Sequence, residues 1–302
     1  MGKIARVSHG QHANNRWRWV GAIAGSLPLI AYGGLHFQRP EVTPQQRDLF
    51  QGIRYERRIQ PAPQPVVMHI VAVDLAAGVR PFVTPGQPGT PELQARTTRD
   101  FVETFDVQVA INGNFFYPFR AETPWDYRPR PGEAVNAVGL GMSNGVRYSA
   151  PEPSWPALCF DPSHRGAIAP DGDCPAGTQQ AIAGDEILLA QGIASQLEDR
   201  TRYARTAAGL NAAGDRLWLV VVDHQQPRYS EGITLADLAQ VLKDLGATDA
   251  LNLDGGGSAT LAVATPTGPT LLNAPNHTKL PTRERPVANH LGFYAQPHVS
   301  HN

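Results

Sequence analysis

Asp254 ends an apolar run and opens three consecutive glycines in LNLDGGGSATL, Leu251 to Leu261. Ordered glycine loses more conformational freedom than any other residue, so three together mark a place that needs a bare backbone. Gly255, Gly256 and Gly257 can turn successive N–H groups the same way, a nest that favours anions. Asp254 adds a carboxylate and Ser258 a hydroxyl. The competing reading is a tight strand-to-strand turn in which Asp254 only satisfies turn amides. Two familiar chemistries do not fit. The stretch lacks the Gly-Lys-Ser/Thr ending of a P-loop. Thr260 stands where a G-x-S-x-G elbow needs its last glycine, so Ser258 does not read as a triad nucleophile.

The elements around the motif follow from periodicity. TLADLAQVLKDLGA carries Leu235, Leu238, Ala239, Leu242 and Leu245 on one helical face. Thr234 and Asp237 have capping-box spacing at its start, and Gly246 can close its end. DALNLD then reads as a buried strand, so the acid emerges where an apolar scaffold opens toward a cleft. RTAAGLNAAGDRLWLVVVD reads as two strands joined at Asn211–Asp215, VVMHIVAVDL and VQVAIN as strands, and RPVANHLGFYA as a late one. ELQARTTRDFVETF, Glu92–Phe105, has helical spacing through Leu93, Phe101 and Phe105, and Ser143-Asn144-Gly145 suits a hairpin turn.

With 302 residues, 41% of them hydrophobic and 18% charged, the chain has the composition of a globular protein. A formal net charge of −1 gives no electrostatic reason to bind nucleic acid. The N-terminus stands apart. Lys3, Arg6, Arg16 and Arg18 precede WVGAIAGSLPLIAYGGLHF, Trp19 to Phe37, which carries no formal charge. That is the pattern of a secretory signal, with Ala31-Tyr32-Gly33 as a small-x-small cleavage site. The same run is long enough to be a membrane anchor if it is not cleaved. Either way the rest of the chain is extracytoplasmic, secreted, periplasmic or anchored. Cys159 and Cys174 flank a polar loop and, in an oxidising compartment, can close a disulfide worth about 3 kcal/mol. Two separate thiols are the other reading, and the spacing is not that of a zinc site.

Five blocks occur in order: INGNFF, RTAAGL, RLWLVVVD, SEGITLADLAQVLKDLGATDALNLDGGGSATL and RPVANHLGFY. Together they resemble the phosphodiester glycosidase family, whose bacterial members are often described only as exopolysaccharide-related. The resemblance runs from about Val66 to Gln296 and departs at Asn114, where many relatives have glycine. Pattern and resemblance together imply an α/β (α+β) fold, a mixed β-sheet core with flanking helices in one phosphodiester-glycosidase-like domain at 66–296. Before it would come a signal or anchor at 1–38 and a Pro-rich linker at 39–65, and after it a tail at 297–302.

The family's chemistry, if it carries over, is hydrolysis of a glycosidic bond beside a phosphodiester, with α-N-acetylglucosamine a candidate sugar. A phosphate monoester leaves with a second pKa of about 6 and needs little protonation. The demand falls on a carboxylate at the anomeric carbon and on cationic or N–H donors around phosphate. Asp254 is the first candidate for the carboxylate, Asp223 at the end of LWLVVVD the second, and Glu231 the third. Each has a bland counterpart, a turn cap or a helix approach. Arg205 can hold phosphate bidentately or sit in a strand salt bridge. Asn112 and Asn114 suit hydroxyl or acetamido recognition, or are turn asparagines. Asn289, within an apolar run, must be bonded, either to ligand or to backbone. Phe115 and Phe116 read as core packing, His290 as structural, and Arg283 and Arg285 as surface charge or a cleft mouth. No cofactor is required, although a Ca²⁺ or Mg²⁺ among the aspartates remains open without an EF-hand series. The alternatives are a non-catalytic carbohydrate or phosphoglycan binder and a glycosidase acting on a phosphate-free glycan.

Overall fold

Period-two burial builds the protein around two facing sheets. In the computed structural model, residues 33–35, 37–61 and 63–298 are described. Met1–Arg39 and Pro40–Asn302 are separate units. Of the first, a helical stretch at 33–35 and residues 37–39 are described, and the signal or anchor expected at 1–38 otherwise lies outside the described residues. No helix among the described residues is long and apolar enough to cross a membrane.

The second unit holds an eight-stranded sheet in the order Gln45–Phe50, Ile53–Gln60, Val66–Asp74, Arg216–Val222, Arg205–Leu210, Asp249–Leu253, Glu186–Ala190 and Ile193–Ala194. Alternate residues face opposite ways. Met68, Ile70, Trp218, Val220 and Val222 pack under Leu235, Leu238, Ala239 and Leu242 of helix Leu235–Leu245. Val71, Val73, Leu217, Leu219 and Val221 face the other way, onto Val109, Ile111, Leu261, Leu291 and Phe293 of a five-stranded sheet. That sheet runs Thr270–Leu271, Leu261–Val263, Val109–Asn112, His290–Tyr294, Arg80–Val83. Its outer face, Phe82, Ala110 and Ala262, carries helix Thr98–Phe105 through Phe101 and Val102. The layers are therefore helix, sheet, sheet, helix. At Gly292 a Cβ would lie 2.7 Å from the Phe101 ring, so the bare backbone lets that helix seat.

A second five-stranded sheet, built from strands between Gly141 and Ala183, adds Leu158, Phe160 and Ile182 to the central core. Cys159 in it is bridged to Cys174, with Cα atoms 5.8 Å apart.

The fold is β-rich with helices on its outer faces. Every strand ladder among the described residues is antiparallel, where a mixed core was expected. Short turns such as Asn211–Asp215 make antiparallel neighbours directly, without crossover helices. The expected linker at 39–65 is corrected more sharply. Gln45–Phe50 and Ile53–Gln60 form a hairpin that extends the large sheet against Val66–Asp74. Ile53 and Tyr55 are buried on its inner face, while Arg54, Glu56 and Arg58 alternate outward and disguise the strand as a charged coil. The helix expected over Glu92–Phe105 begins only at Thr98. Leu93–Gln94 instead pairs with Ala134–Val135, and Thr97 with Asp100 forms the capping box. Asn144 and Gly145 take φ of 51° and 77° in the expected hairpin turn.

Candidate active site

A cleft of about 710 Å³ opens beside the DGGG turn. Asp254, Gly255, Gly256, Gly257 and Arg205 line it, and so do Asp185, Tyr203, Arg285, Phe119 and Trp125. Asp254 follows strand Asp249–Leu253 and is only 7% exposed. Burial pushes its carboxyl up to about 6, with nearby Asp185 adding to the rise. Arg285, Ser258 and the Gly255 N–H hold it back. Burial also raises Asp185, which accepts a hydrogen bond from Asn252 Nδ2 at 2.7 Å. Asp185 and Asp254 thus share one cavity with Glu122 and with the guanidiniums of Arg205 and Arg285.

Each glycine has its own steric reason. A Cβ on Gly255 would stand 2.5 Å from the carbonyl oxygen of Ala204. Gly256 has φ of +59° and lies against the Tyr203 ring, and a Cβ on Gly257 would meet Arg285 Nη2 at 2.6 Å. The expected anion nest is occupied in part, since the Gly256 N–H donates to Ala204 O and the Ser258 N–H to Gly255 O. Cations stand beside it. Arg285 Nη1 donates to Ser258 Oγ at 3.0 Å, and Ser258 hydrogen-bonds Asp254, so the hydroxyl links guanidinium to carboxylate. Burial lowers the Arg285 guanidinium, and Asp254 counteracts this. His277 accepts from Arg285 Nε at Nδ1, 3.4 Å away, and burial beside Arg285 and Arg283 drops its pKa to about 3, so it stays neutral.

The expected asparagines are buried builders of this cleft rather than its lining. Asn112 ties the two facing sheets together. Its Nδ2 donates to Asp254 O at 2.5 Å, and its Oδ1 accepts from Thr206 Oγ1 and the Thr260 N–H. Asn114 donates to Val138 O and Leu140 O and accepts from Asn289 Nδ2 and the Ala183 N–H. Asn289 also donates to Tyr148 Oη. Asp223 is likewise interior. Its Oδ2 accepts from His69 Nε2 at 3.0 Å, and its Oδ1 from Asn273 Nδ2 and the Ala274 N–H. The Tyr55 hydroxyl completes this network on His69 Nδ1. Glu231 is half-buried and does not border the cleft.

A family model for phosphodiester glycosidases matches residues 105–294. The chain belongs to that family. Among solved structures, a hypothetical protein from Synechocystis is similar with a TM-score of 0.62 and 16% identity, over 86% of this chain and 64% of that one. The catalytic domain of zebrafish N-acetylglucosamine-1-phosphodiester alpha-N-acetylglucosaminidase, auto-inhibited by its pro-peptide, gives 0.59 and 21%, over 87% and 92%. A putative exported protein from Burkholderia pseudomallei gives 0.56 and 17%, over 78% and 75%. At these identities the neighbours show a shared fold. Among curated proteins, no sequence matches the chain.

Asp254, the three glycines and Arg205 line the same cleft. Arg205 Nη2 is held by Asp199 Oδ2 at 3.2 Å and by Thr201 O, in a central strand rather than at an edge. Phe115 and Phe116 line the cleft too. Asp185 sits in AIAGDEILL with no motif about it, and only the cross-strand partner Asn252 explains its place. Among the described residues no three or more His, Cys, Asp or Glu side chains are grouped to hold a metal.

Proposed function

We propose that this protein hydrolyses the glycosidic bond of a sugar-1-phosphodiester on an envelope or extracellular glycan, with α-N-acetylglucosamine the first sugar to test. The observation that supports this reading best is Asp254 in one cleft with Asp185, Arg205 and Arg285. Asp254 serves the anomeric carbon as an ionised carboxylate, since a phosphate leaving group makes little demand for an acid. Asp185 takes the second carboxylate role that Asp223, fully engaged in the interior, is unable to fill.

Charge gives the cleft a direction. Arg205 already faces Asp199 and lies near Asp185, whereas Arg285 lies near Asp254 and Tyr203, and Lys279 lines the same cavity. Phosphate belongs at the Arg285 and Lys279 end, and the transferred sugar at the Asp185, Tyr203 and Arg205 end. The Cys159–Cys174 bridge and the basic-then-apolar N-terminus support an oxidising, extracytoplasmic setting.

The test is product release by the purified full-length chain from an α-N-acetylglucosamine-1-phosphodiester, beside an Asp254→Asn control and a phosphate-free glycoside. Cleavage of the first substrate alone, abolished in the control, supports the reading. Equal cleavage of the neutral glycoside would remove phosphate from it. If a folded chain cleaves neither, this substrate assignment fails, and glycan-array binding decides between an inert binder and an enzyme of another substrate.

A further inference from the structure

Asn252 breaks the apolar face of the strand that leads to Asp254. Its neighbours on the helix-facing side of the sheet are Ala250 in the same strand and Ala207 across from it, both fully buried. Asn252 is itself only 1% exposed, and its Oδ1 is buried with no hydrogen-bond partner among the described residues. An unpaired interior oxygen is costly, and a leucine of similar size would avoid that cost. The other end of the amide shows what the position is for. Nδ2 donates to Asp185 Oδ1 at 2.7 Å.

Two further features bring Asp185 to that amide. Strand Glu186–Ala190 runs antiparallel to Asp249–Leu253, so Asp185, just before the first, lies at the end where Asp254 leaves the second. The Asp185 N–H donates to Asn252 O at 3.2 Å. A Cβ on the preceding Gly184 would collide with that same carbonyl, so the approach needs glycine. Backbone and side chain of Asn252 thus both grip Asp185, whose carboxyl also accepts from the N–H groups of Asp185 and Glu186. All of these are donors to the carboxyl or ties to its backbone. Against burial and the neighbouring carboxyls of Asp254 and Glu186, the donors and Arg205 favour the ionised form.

We propose that Asn252 is a positioning residue, which fixes Asp185 in the cleft as an ionised base for the water that replaces phosphate at the anomeric carbon. This rests on the reading of the cleft as a sugar-1-phosphodiester site. In that step the C1–O bond to phosphate breaks, and its electron pair stays on the phosphate oxygen. The water oxygen bonds to C1, and its proton passes to Asp185 and then to solvent. Asp254 keeps its place as the carboxylate beside the developing positive charge. A side chain without a donor at position 252 would leave Asp185 free to turn and readier to hold a proton.

Asn252→Leu keeps the volume and removes both the donor and the unpaired oxygen. In the full-length chain carrying ¹³C at its aspartate carboxyls, the Asp185 signal is identified by its loss in Asp185→Asn. Its titration midpoint should rise by about one unit in Asn252→Leu, because a hydrogen bond to the charged form is lost. An unmoved midpoint overturns the proposal. On the methyl phosphodiester of α-N-acetylglucosamine at pH 6, kcat should fall about tenfold while KM stays nearly unchanged. The deficit should shrink toward pH 8, where Asp185 ionises without help. A loss equal at both pH values, or one confined to KM, makes the amide structural and overturns the base role. Stability carries its own sign. The variant raises the folded value of Asp185 further, so its Tm should drop relative to the parent as pH rises from 5 to 8. A Tm difference constant with pH counts against the assignment. If the leucine variant does not fold, Asn252→Ser, too short to reach Asp185, replaces it in every measurement. A shifted midpoint in a parent that cleaves nothing keeps the grip of Asn252 on Asp185 and removes the base role together with the cleft reading beneath it.

Discussion

Asp254 is useful because its environment pulls in two directions. Burial raises its carboxyl to about 6, while Arg285 and Ser258 keep it from rising further. If the ionised form works at the anomeric carbon, kcat/KM should climb through a limb near pH 6, and Asp254→Asn should remove that limb while lowering kcat by about 10²- to 10⁴-fold. The same shift affects folding. A carboxyl whose folded value exceeds its unfolded one binds more protons when folded, so stability falls as pH rises. From 3.8 to about 6 the loss is about 3 kcal/mol, absent below pH 4 and complete above about 7. Asp254→Asn should therefore gain in Tm relative to the parent as pH rises from 4 to 7. A constant difference across that range would show that the carboxyl is not shifted. Asp254 was legible in sequence because an acid before three glycines needs explaining. Asp185 was not, since it acquires meaning only from Asn252, far along the chain, and Arg285 reads equally as surface charge or a cleft mouth until Ser258 gives it a partner.

At the scale of elements, the DGGG turn is held from both sides by buried polar groups. Asn112 fixes Asp254 O and the Thr260 N–H, and Asn273 accepts from Leu261 N–H while donating to Ala259 O and Asp223. Asp223 thus acts on the turn's far end through Asn273. Asp223→Ala should unfold or strongly destabilise the chain, by about 3 kcal/mol or more, because it strands His69, Asn273 and the Ala274 N–H in the interior. Thermal denaturation measures this directly, and an unchanged Tm would contradict a structural role. The glycines divide differently. Gly255→Ala drives a Cβ against the Ala204 carbonyl, which is rigid backbone, and should cost about 1–3 kcal/mol of stability. Gly257→Ala meets only the movable end of Arg285, so it should change Tm little and raise KM for charged substrates. The helix Leu235–Leu245 and the strands around it could be read in advance, because period and caps agree there. The hairpin Gln45–Gln60 could not. Arg47, Asp48, Arg54 and Arg58 face solvent with their charges, and only the burial of Tyr55 against the opposite sheet shows which face is inside.

The whole molecule separates the parts that make the cleft from the parts that make the fold durable. The cleft draws on the DGGG turn, on Asp185 and Gln225, on the segments 203–205 and 276–285, and on the hairpin region 115–125, with nothing from 157–183. The Cys159–Cys174 bridge lies in that untouched region and closes a loop with a sequence separation of 15. In the chain-entropy model such a loop constrains the unfolded state by about 3 kcal/mol. For a domain of this size each kcal/mol moves Tm by about 2–4 °C, so replacing both cysteines with alanine should lower Tm by about 10 °C. Activity at 25 °C should be unchanged, because the bridge acts on the unfolded chain and touches no group that faces substrate. A fall in kcat/KM without a fall in Tm would invert this division, placing the bridge's influence in the cleft. The predicted outcome instead makes the disulfide a durability device. It remains oxidised only where the compartment allows, which couples the stability of the fold to an oxidising setting.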